Sequence, residues 1–290
     1  MKITNEQEKI LDSFICERLS ADVFNSELIH TFVSKRGASL VNYFKEYGFE
    51  EEQNGKTAYY VIKTKQNEML MFFSMKCGAL FDSLLDENEV QKDCQRLTIL
   101  LQAMENADSI NFRANEVNEI LTQYQINDKI SFEDIAKKKK WKKELLKHLS
   151  NDKQKEDNDK ILRVLSTHSA IELVHFCTND NMKNKWNTYH MGHPMGETLF
   201  WKFIAPKFFD VQSIVGCEYA FLFAADLSED GSLVNYYDVS LKFQKRLDIG
   251  TNKPFYDFCC DFMCQEVSDM RKNRQLFFEN FNINKDDIIA

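Results

Sequence analysis

The sequence predicts an α/β fold, in which helices pack on a sheet and a helical segment interrupts the chain. Three helical patterns and a β-hairpin open the chain, and a glycine-bearing helix feeds an apolar strand near the end of the chain. The 82–166 stretch between these halves contains neither glycine nor proline. Helical and strand patterns mixed in this order are typical of a sheet covered by helices.

The composition is that of a globular protein. A chain of 290 residues can bury a full core as one large domain or two. Its 9 glycines and 3 prolines favour long regular elements with few flexible linkers. The formal charge of −8 argues against a wholly basic nucleic-acid binder but leaves room for a local basic patch.

The eight cysteines are scattered without a repeated C-x-x-C, which favours buried free thiols in a reducing compartment. Cys260 and Cys264 could form a zinc site with His190 and His193, but neither pair has a common zinc-ligand spacing with a second matching pair, so we expect no metal. The start, MKITNEQEK, is unlike a signal peptide, and no 18-residue apolar run exists. We therefore expect a cytoplasmic protein without membrane contact.

The first part of the chain predicts helices followed by a hairpin. Residues 5–20 carry apolar side chains at helical spacing, and residues 25–47 predict two helices with Gly37 between them. An Asn-Gly turn signal follows, and then TAYYVIK and EMLMFFSMK, separated by the polar turn TKQN. Two β-rich runs joined by a short polar turn indicate an antiparallel hairpin.

Residues 82–166 contain three helical patterns and predict an all-helical insertion between an N-terminal half, 1–81, and a C-terminal half, 167–290. The third pattern carries seven lysines between Lys137 and Lys147. Such a cluster could bind the backbone of RNA through counterion release, or an acidic protein. The alternative is a solvated helix face flanked by acidic segments.

The C-terminal half predicts alternating strands and helices. Residues 168–180 form a strand pattern, and GHPMGETLFWKFI then places Gly192 and Gly196 before an amphipathic helix. A glycine-bearing turn that opens a helix offers backbone N–H groups and the positive helix end to a phosphate. EYAFLFAAD predicts a buried strand, and SEDGSLVNYYDVSLKF predicts a helix carrying Tyr236 and Tyr237.

Two further patterns complete this half. Pro206 interrupts the helical pattern, and a second apolar run reaches Val215 before Gly216 closes the helix. PFYDFCCDFMCQEV predicts a final strand, and the stretch from Ser268 to Phe281 predicts a closing helix.

Strand, phosphate turn, helix, strand and tyrosine helix, in this order, resemble the acetyl-CoA-binding half of a GCN5-related N-acetyltransferase (GNAT). The phosphate signature of that family, Gln/Arg-x-x-Gly-x-Gly/Ala, falls on His193, Gly196 and Thr198, of which the central glycine matches. Its later Asn, Ala and Tyr positions fall on Asp230, Leu233 and Tyr237, of which the tyrosine matches.

Helices followed by a hairpin also resemble the start of a GNAT. The strand FFSMKCG resembles the branch that includes toxins acetylating aminoacyl-tRNA. The resemblance implies a mixed, mostly antiparallel central sheet, acetyl-CoA as co-substrate and a primary amine as acceptor. The sequence does not identify this acceptor; an aminoacyl-tRNA and a protein are the candidates. A homodimer and an antitoxin-like partner are both compatible with it.

The resemblance also implies roles for particular residues. Backbone amides of the glycine turn would hold the pyrophosphate, and a backbone N–H of the fourth strand would polarise the thioester carbonyl. Tyr237 would protonate the departing thiolate, and Glu172 would deprotonate the amine. The implied cofactor-binding residues are Phe176, Cys177, Gly192, His193, Gly196, Glu197, Thr198 and Asp230.

Each of these roles has an alternative in ordinary structure. Tyr236 and Tyr237 could be half-buried aromatic residues between helix and sheet, and Asp230 could be a helix N-cap. Two functional classes therefore stay open. One is an N-acetyltransferase, and the other is a GNAT-like fold that has lost catalysis and serves as a binding or regulatory module through its helical insertion.

Overall fold

The computed structural model describes residues 2–82, 166–226, 230–246, 249–251 and 260–282. The described residues on both sides of the longest gap belong to one compact unit. Residues 83–165 of the predicted insertion, including Lys137–Lys147, lie outside the described residues.

The chain opens with helix α1, Asn5–Asp12. Its start is fixed by a capping box, because the Gln7 N–H donates to Thr4 Oγ1 at 3.2 Å and the Thr4 N–H donates to Gln7 Oε1 at 3.0 Å. Strand β1, Ile15–Arg18, follows. The prediction of a helix throughout residues 5–20 is thus wrong for its second half, because β1 pairs along Tyr60–Lys63, and this pairing overrides the local helical spacing.

The next four elements agree with the sequence patterns. Two helices, α2 (Phe24–Thr31) and α3 (Ala38–Gln53), lie on either side of Gly37. Strands β2 (Ala58–Lys63) and β3 (Met69–Asp82) form the predicted antiparallel hairpin.

The second half supplies the remaining elements. They are β4 (Thr167–Thr178), α4 (Lys183–Thr188), α5 (Met195–Leu199), a π-helical segment (Phe200–Ile204), α6 (Ala205–Val215), β5 (Tyr219–Ala224), α7 (Ser232–Val239), β6 (Ile249–Gly250), β7 (Asp261–Glu266) and α8 (Val267–Glu279). Strands β4 and β5, the tyrosine helix and the closing helix are present as predicted. Strand β7 falls in the later part of the predicted final strand, residues 254–267, and residues 254–259 of that prediction lie outside the described residues.

Pro206 does not break the helix as its sequence position suggests. The wider π-helical turn precedes it, and Pro206 itself lies in the first turn of α6, where a missing N–H costs least. The Trp201 carbonyl in the π-helical segment accepts a hydrogen bond from Arg274 Nε at 2.8 Å. Gly216, at a φ of 72°, then ends the helix as predicted.

The strands form one sheet in the order β1-β2-β3-β4-β5-β7, with β6 beside β3. Among the described strand pairs, β4 with β5 is the parallel one. This confirms the predicted mixed, mostly antiparallel sheet with flanking helices. No helix in the described parts of the chain is both long enough and apolar enough to cross a membrane.

The two faces of the sheet bury different helices. Helices α2 and α3 cover one face, where Phe44 of α3 stacks on Phe72 of β3 with ring centroids 3.9 Å apart. Helices α1, α4, α5, α6 and α8 contribute to the larger core on the other face, which includes Trp201, Phe208 and Met270.

Candidate active site

Strands β4 and β5 pair over only part of their length. Among the described residues, their pairing runs from Ala170 opposite Tyr219 to Glu172 opposite Phe221. Beyond this point β4 continues to Thr178 along β3, and β5 continues to Ala224 along β7. The two neighbours therefore separate and leave a gap within the sheet, where backbone groups of β4 can pair with an extended ligand.

A β-bulge lies where the gap begins. The register between β3 and β4 shifts from Met75 opposite Leu173 to Ser74 opposite His175, which leaves Val174 as an extra residue. Bulges occur often next to active sites because they re-aim side chains and interrupt pairing. Here the bulge brings His175 onto the same face of the sheet as Glu172.

Helix α5 starts against the wall of this gap. A Cβ atom on Gly196 would lie 2.8 Å from Tyr236 Oη, 3.4 Å from Phe176 Cζ and 3.4 Å from Thr178 Cγ2. Such close approach requires glycine. The Phe176 ring lies 6.2 Å from the ring of Tyr237 and 6.4 Å from that of Tyr236. The structure thus brings together Gly196, Phe176 and Tyr237, which the sequence assigned to one site.

The two tyrosines of α7 have hydroxyl groups without a hydrogen-bond partner among the described residues. Tyr237 is 9% exposed, yet within the described residues neither hydroxyl has a hydrogen-bond partner and neither oxygen is completely enclosed. Burial raises the pKa of both phenols above its usual value. Both hydroxyls therefore stay protonated at neutral pH.

The loop before α5 is held from two sides. Gly192 adopts a left-handed φ of 70°, and nothing lies within 4 Å of the position of a Cβ there. Gln7 Nε2 donates to the His190 carbonyl at 2.9 Å, and Trp186 Nε1 donates to the His193 carbonyl at 3.0 Å. The loop backbone is therefore fixed beside the helix start, with Gly192 exposed.

Three predicted cofactor residues use their side chains inside the protein. His193 contacts Glu197 Oε2 through Nδ1 at 3.0 Å and the Phe281 carbonyl through Nε2 at 2.9 Å. Thr198 Oγ1 donates to the Pro194 carbonyl at 3.1 Å, and its N–H donates to the same oxygen at 3.1 Å. His193 thereby joins the loop to the chain just after α8. The N–H group of Thr198 is already bonded within the helix, so the N–H groups that could bind a phosphate precede Thr198.

Phe176 and Cys177 lie on opposite faces of β4. The Cys177 side chain packs in the core beneath α3, with Sγ 2.8 Å from the position of a Cβ on Gly37. Burial raises the pKa of its thiol to about 11. Any contact of Cys177 with a ligand in the gap would therefore come from its backbone.

The start of α7 is capped by a residue that sequence reasoning missed. Asp226 Oδ2 accepts hydrogen bonds from the N–H groups of Leu233 at 2.8 Å and Val234 at 2.9 Å. The predicted residue Asp230 is exposed and accepts from the Ser232 N–H at 3.1 Å. Asp226 lies seven residues before Leu233, so a local capping pattern could not reveal it.

Replacing Asp226 by Ala is expected to lower the free energy of unfolding by about 1 to 2 kcal/mol, since two N–H groups of α7 lose their acceptor. Asp230→Ala should cost less, because Asp230 is exposed and water can replace its carboxylate as the acceptor for the Ser232 N–H. Urea unfolding of both variants measures the difference. An equal loss for the two would contradict the assignment of Asp226 as the main cap.

Glu172 faces the α3 side of the sheet. Its Oε2 lies 3.2 Å from Lys76 Nζ on β3, and its side chain is 9% exposed. His175 lies on the same face, where its Nδ1 is 2.6 Å from Ser74 Oγ. Burial, opposed by Glu51 and assisted by Lys76, lowers the pKa of His175 to about 4.

The burial of His175 predicts a loss of stability in acid. Its pKa falls from 6.5 to about 4 on folding, so between these values the unfolded chain binds a proton that the folded chain does not. The unfolding free energy should therefore fall as the pH falls through this window, by on the order of 3 kcal/mol from this group. The unfolding free energy can be measured with urea at pH 7 and at pH 4.5. It should fall less between these two pH values for His175→Phe than for the wild type. An identical fall in both proteins would contradict the burial of a neutral imidazole.

No group of three or more His, Cys, Asp or Glu side chains within the described residues is placed to hold a metal ion. His190, His193, Cys260 and Cys264, the residues considered for zinc, all lie within this part of the chain.

No protein-family model matches the chain, and no curated protein matches it. Solved structures of toxins are similar in fold. A tyrosine-to-phenylalanine mutant of KacT has 11% identity and a TM-score of 0.46, covering 90% of this chain and 99% of its own. AtaTR bound with acetyl-CoA has 11% identity and a TM-score of 0.48, covering 90% and 98%. AtaT complexed with acetyl-methionyl-tRNAfMet has 11% identity and a TM-score of 0.42, covering 90% and 98%. What these proteins bind is known of them alone.

Proposed function

We propose that this protein is an N-acetyltransferase that moves an acetyl group from acetyl-CoA to a primary amine. The observation that carries the proposal is the separation of β4 from β5 beyond Glu172, with Gly196, the Tyr236 hydroxyl and the Tyr237 ring beside the gap. An extended pantetheine chain pairs with the free side of β4, as a peptide does in strand addition. The diphosphate meets the loop and helix start between Gly192 and Glu197.

The reaction is a direct attack on the thioester. The amine nitrogen forms a bond to the carbonyl carbon, and the carbonyl electron pair moves to oxygen, where a backbone N–H of β4 near Phe176 stabilises the negative charge. The carbonyl then re-forms and the C–S bond breaks. Tyr237 donates its proton to the departing thiolate and regains a proton from solvent.

Glu172 takes the proton that the amine loses. It faces the α3 side of the sheet, whereas Phe176 and Tyr237 belong to the other core. The gap between β4 and β5 joins these two faces, so the amine and the cofactor reach the reacting carbon from opposite sides. The products are an N-acetylated amine and free CoA.

The acceptor is proposed from the sequence alone. The lysine-rich segment 137–147 favours an aminoacyl-tRNA or an acidic protein over a free small amine. Reversing the charge of Lys138–Lys143 should abolish RNA binding while small-amine acetylation survives. Equal RNA affinity of the variant and the wild type, measured by a mobility shift, would remove RNA from the proposal.

Thermal unfolding in the presence of acetyl-CoA tests the proposal. The midpoint should rise with ligand concentration, by an amount equivalent to about 2.7 kcal/mol at a hundred times the dissociation constant, whereas ATP at equal concentration should change it less. Release of free thiol should then require an added amine. If acetyl-CoA stabilises the protein but no added amine causes release of free thiol, the protein binds the cofactor without being an acetyltransferase.

A further inference from the structure

Two polar pairs lie side by side on the face of the sheet beneath α3. Ser74 pairs with His175 and Lys76 pairs with Glu172 across the β3–β4 ladder. Their neighbours on this face, such as Phe72 and Leu80, are buried and apolar. Ser74, His175 and Glu172 are buried, whereas the Lys76 side chain is 36% exposed. Burying the first three costs free energy that apolar packing would avoid.

The hydrogen on the His175 ring can be assigned from its partner. Ser74 is fully buried, and within the described residues its hydroxyl contacts only His175 Nδ1, at 2.6 Å. If Nδ1 carried the hydrogen, the hydroxyl hydrogen would be buried without an acceptor, which is costly. The hydroxyl therefore donates to Nδ1, and the neutral ring carries its hydrogen on Nε2.

The Nε2–H group points away from this bond and has no partner among the described residues. The atom is not completely enclosed, although His175 as a whole is 8% exposed. Tyr43 and Tyr59 stack on the ring, with centroids 5.6 and 5.4 Å away. Their hydroxyls donate to the two oxygens of Glu51 at 2.7 and 2.9 Å. His175 is therefore an uncharged N–H donor in a fixed position on the same face as Glu172.

We infer that His175 selects the acceptor by donating a hydrogen bond from Nε2–H to a carbonyl oxygen next to the reacting amine. The lone pair of the amine nitrogen must stay free for attack on the thioester. A hydrogen-bond donor of the protein beside the amine therefore needs a different acceptor atom on the amine substrate. A carbonyl group one carbon away supplies that oxygen within reach of one side chain. The inference rests on the proposed acetyl transfer and names a specificity-determining residue for it.

Two matched amines test this role. Phenylalanine amide carries the carbonyl oxygen next to its amine, and phenethylamine has the same aromatic ring without the carbonyl. His175→Phe keeps the stacking with Tyr43 and Tyr59 but removes the N–H donor. We expect kcat/KM for the amide to fall about tenfold, as for the loss of one good hydrogen bond, and kcat/KM for phenethylamine to stay at the wild-type value.

Three further variants separate recognition from folding. The double variant Ser74→Ala/His175→Phe leaves no hydroxyl unpaired and should show the same tenfold loss of preference. His175→Gln, which can still donate from its amide nitrogen, should recover part of the preference. His168→Gln changes a histidine on the same strand that contacts Glu218 and Ser166, and the preference should not change.

The outcomes distinguish this inference from the proposed function. An unchanged preference for the amide in His175→Phe, or an equal loss for both amines, overturns the role of His175 while acetyl transfer stands. A wild-type protein that does not favour the amide over phenethylamine also overturns it. If acetyl-CoA does not raise the melting temperature of the wild type, the transfer reaction itself fails, and the inference fails with it.

Discussion

Replacing Tyr237 by Phe is expected to lower kcat by a factor of about 100 or more, the usual size of a positioned general acid's contribution. The substitution removes only the hydroxyl, so the ring still packs against Phe176. Because the hydroxyl has no partner among the described residues, its loss should not destabilise the fold. Acetyl-CoA should raise the melting temperature of the variant as it does that of the wild type.

Tyr236→Phe is the matched control for this prediction. Its hydroxyl lies against Gly196, at the helix start, whereas its ring also contacts Phe176. If Tyr237 is the proton donor, Tyr236→Phe should keep kcat within a few-fold of the wild type. A large loss in Tyr236→Phe together with a small one in Tyr237→Phe would move the role of proton donor to Tyr236.

Gly196→Ala is expected to have the second large effect. The added Cβ would lie 2.8 Å from Tyr236 Oη and 3.4 Å from Phe176 Cζ, so α5 must move away from β4 and α7. Overpacking of this kind costs about 1 to 3 kcal/mol of unfolding free energy. Because the same helix start is proposed to hold the diphosphate, acetyl-CoA should also bind more weakly. Urea unfolding and ligand titration measure the two effects separately.

The clash with Tyr236 supplies a rescue for this variant. Gly196→Ala/Tyr236→Phe removes the nearest oxygen and should regain part of the lost stability and affinity. Gly192→Ala is the comparison in the same loop, where a φ of 70° adds backbone strain but nothing lies within 4 Å of the new atom. Normal stability and normal acetyl-CoA affinity in Gly196→Ala would contradict the close packing described for this glycine.

The parts of the fold with strong local patterns could be predicted from the sequence. The hairpin of β2 and β3 follows from two β-rich runs joined by a polar turn, and the end of α6 follows from Gly216. Strand β1 was missed because its four residues continue a helical spacing. Its pairing with Tyr60–Lys63 depends on residues far along the chain, which periodicity does not report.

In the candidate site, too, some features could be predicted from the sequence and others depend on contacts between distant residues. The family resemblance placed Gly196, Phe176 and Tyr237 in one site, and the structure brings them together. The capping role of Asp226 and the pairing of Ser74 with His175 were missed, because each is a contact between separate elements. The roles of Glu172 and Asp230 stay predictions, as do those assigned to the loop from Gly192 to Thr198.

Hydrogen exchange of the β4 backbone tests the central claim most directly. If pantetheine pairs with β4 in the gap, saturating acetyl-CoA should slow exchange in Leu173–Thr178, at the amides that face β5. Exchange in Tyr219–Ala224, which pairs with β7 along its length, should change much less. Unchanged exchange throughout Leu173–Thr178 at saturating acetyl-CoA would contradict the proposed cofactor site.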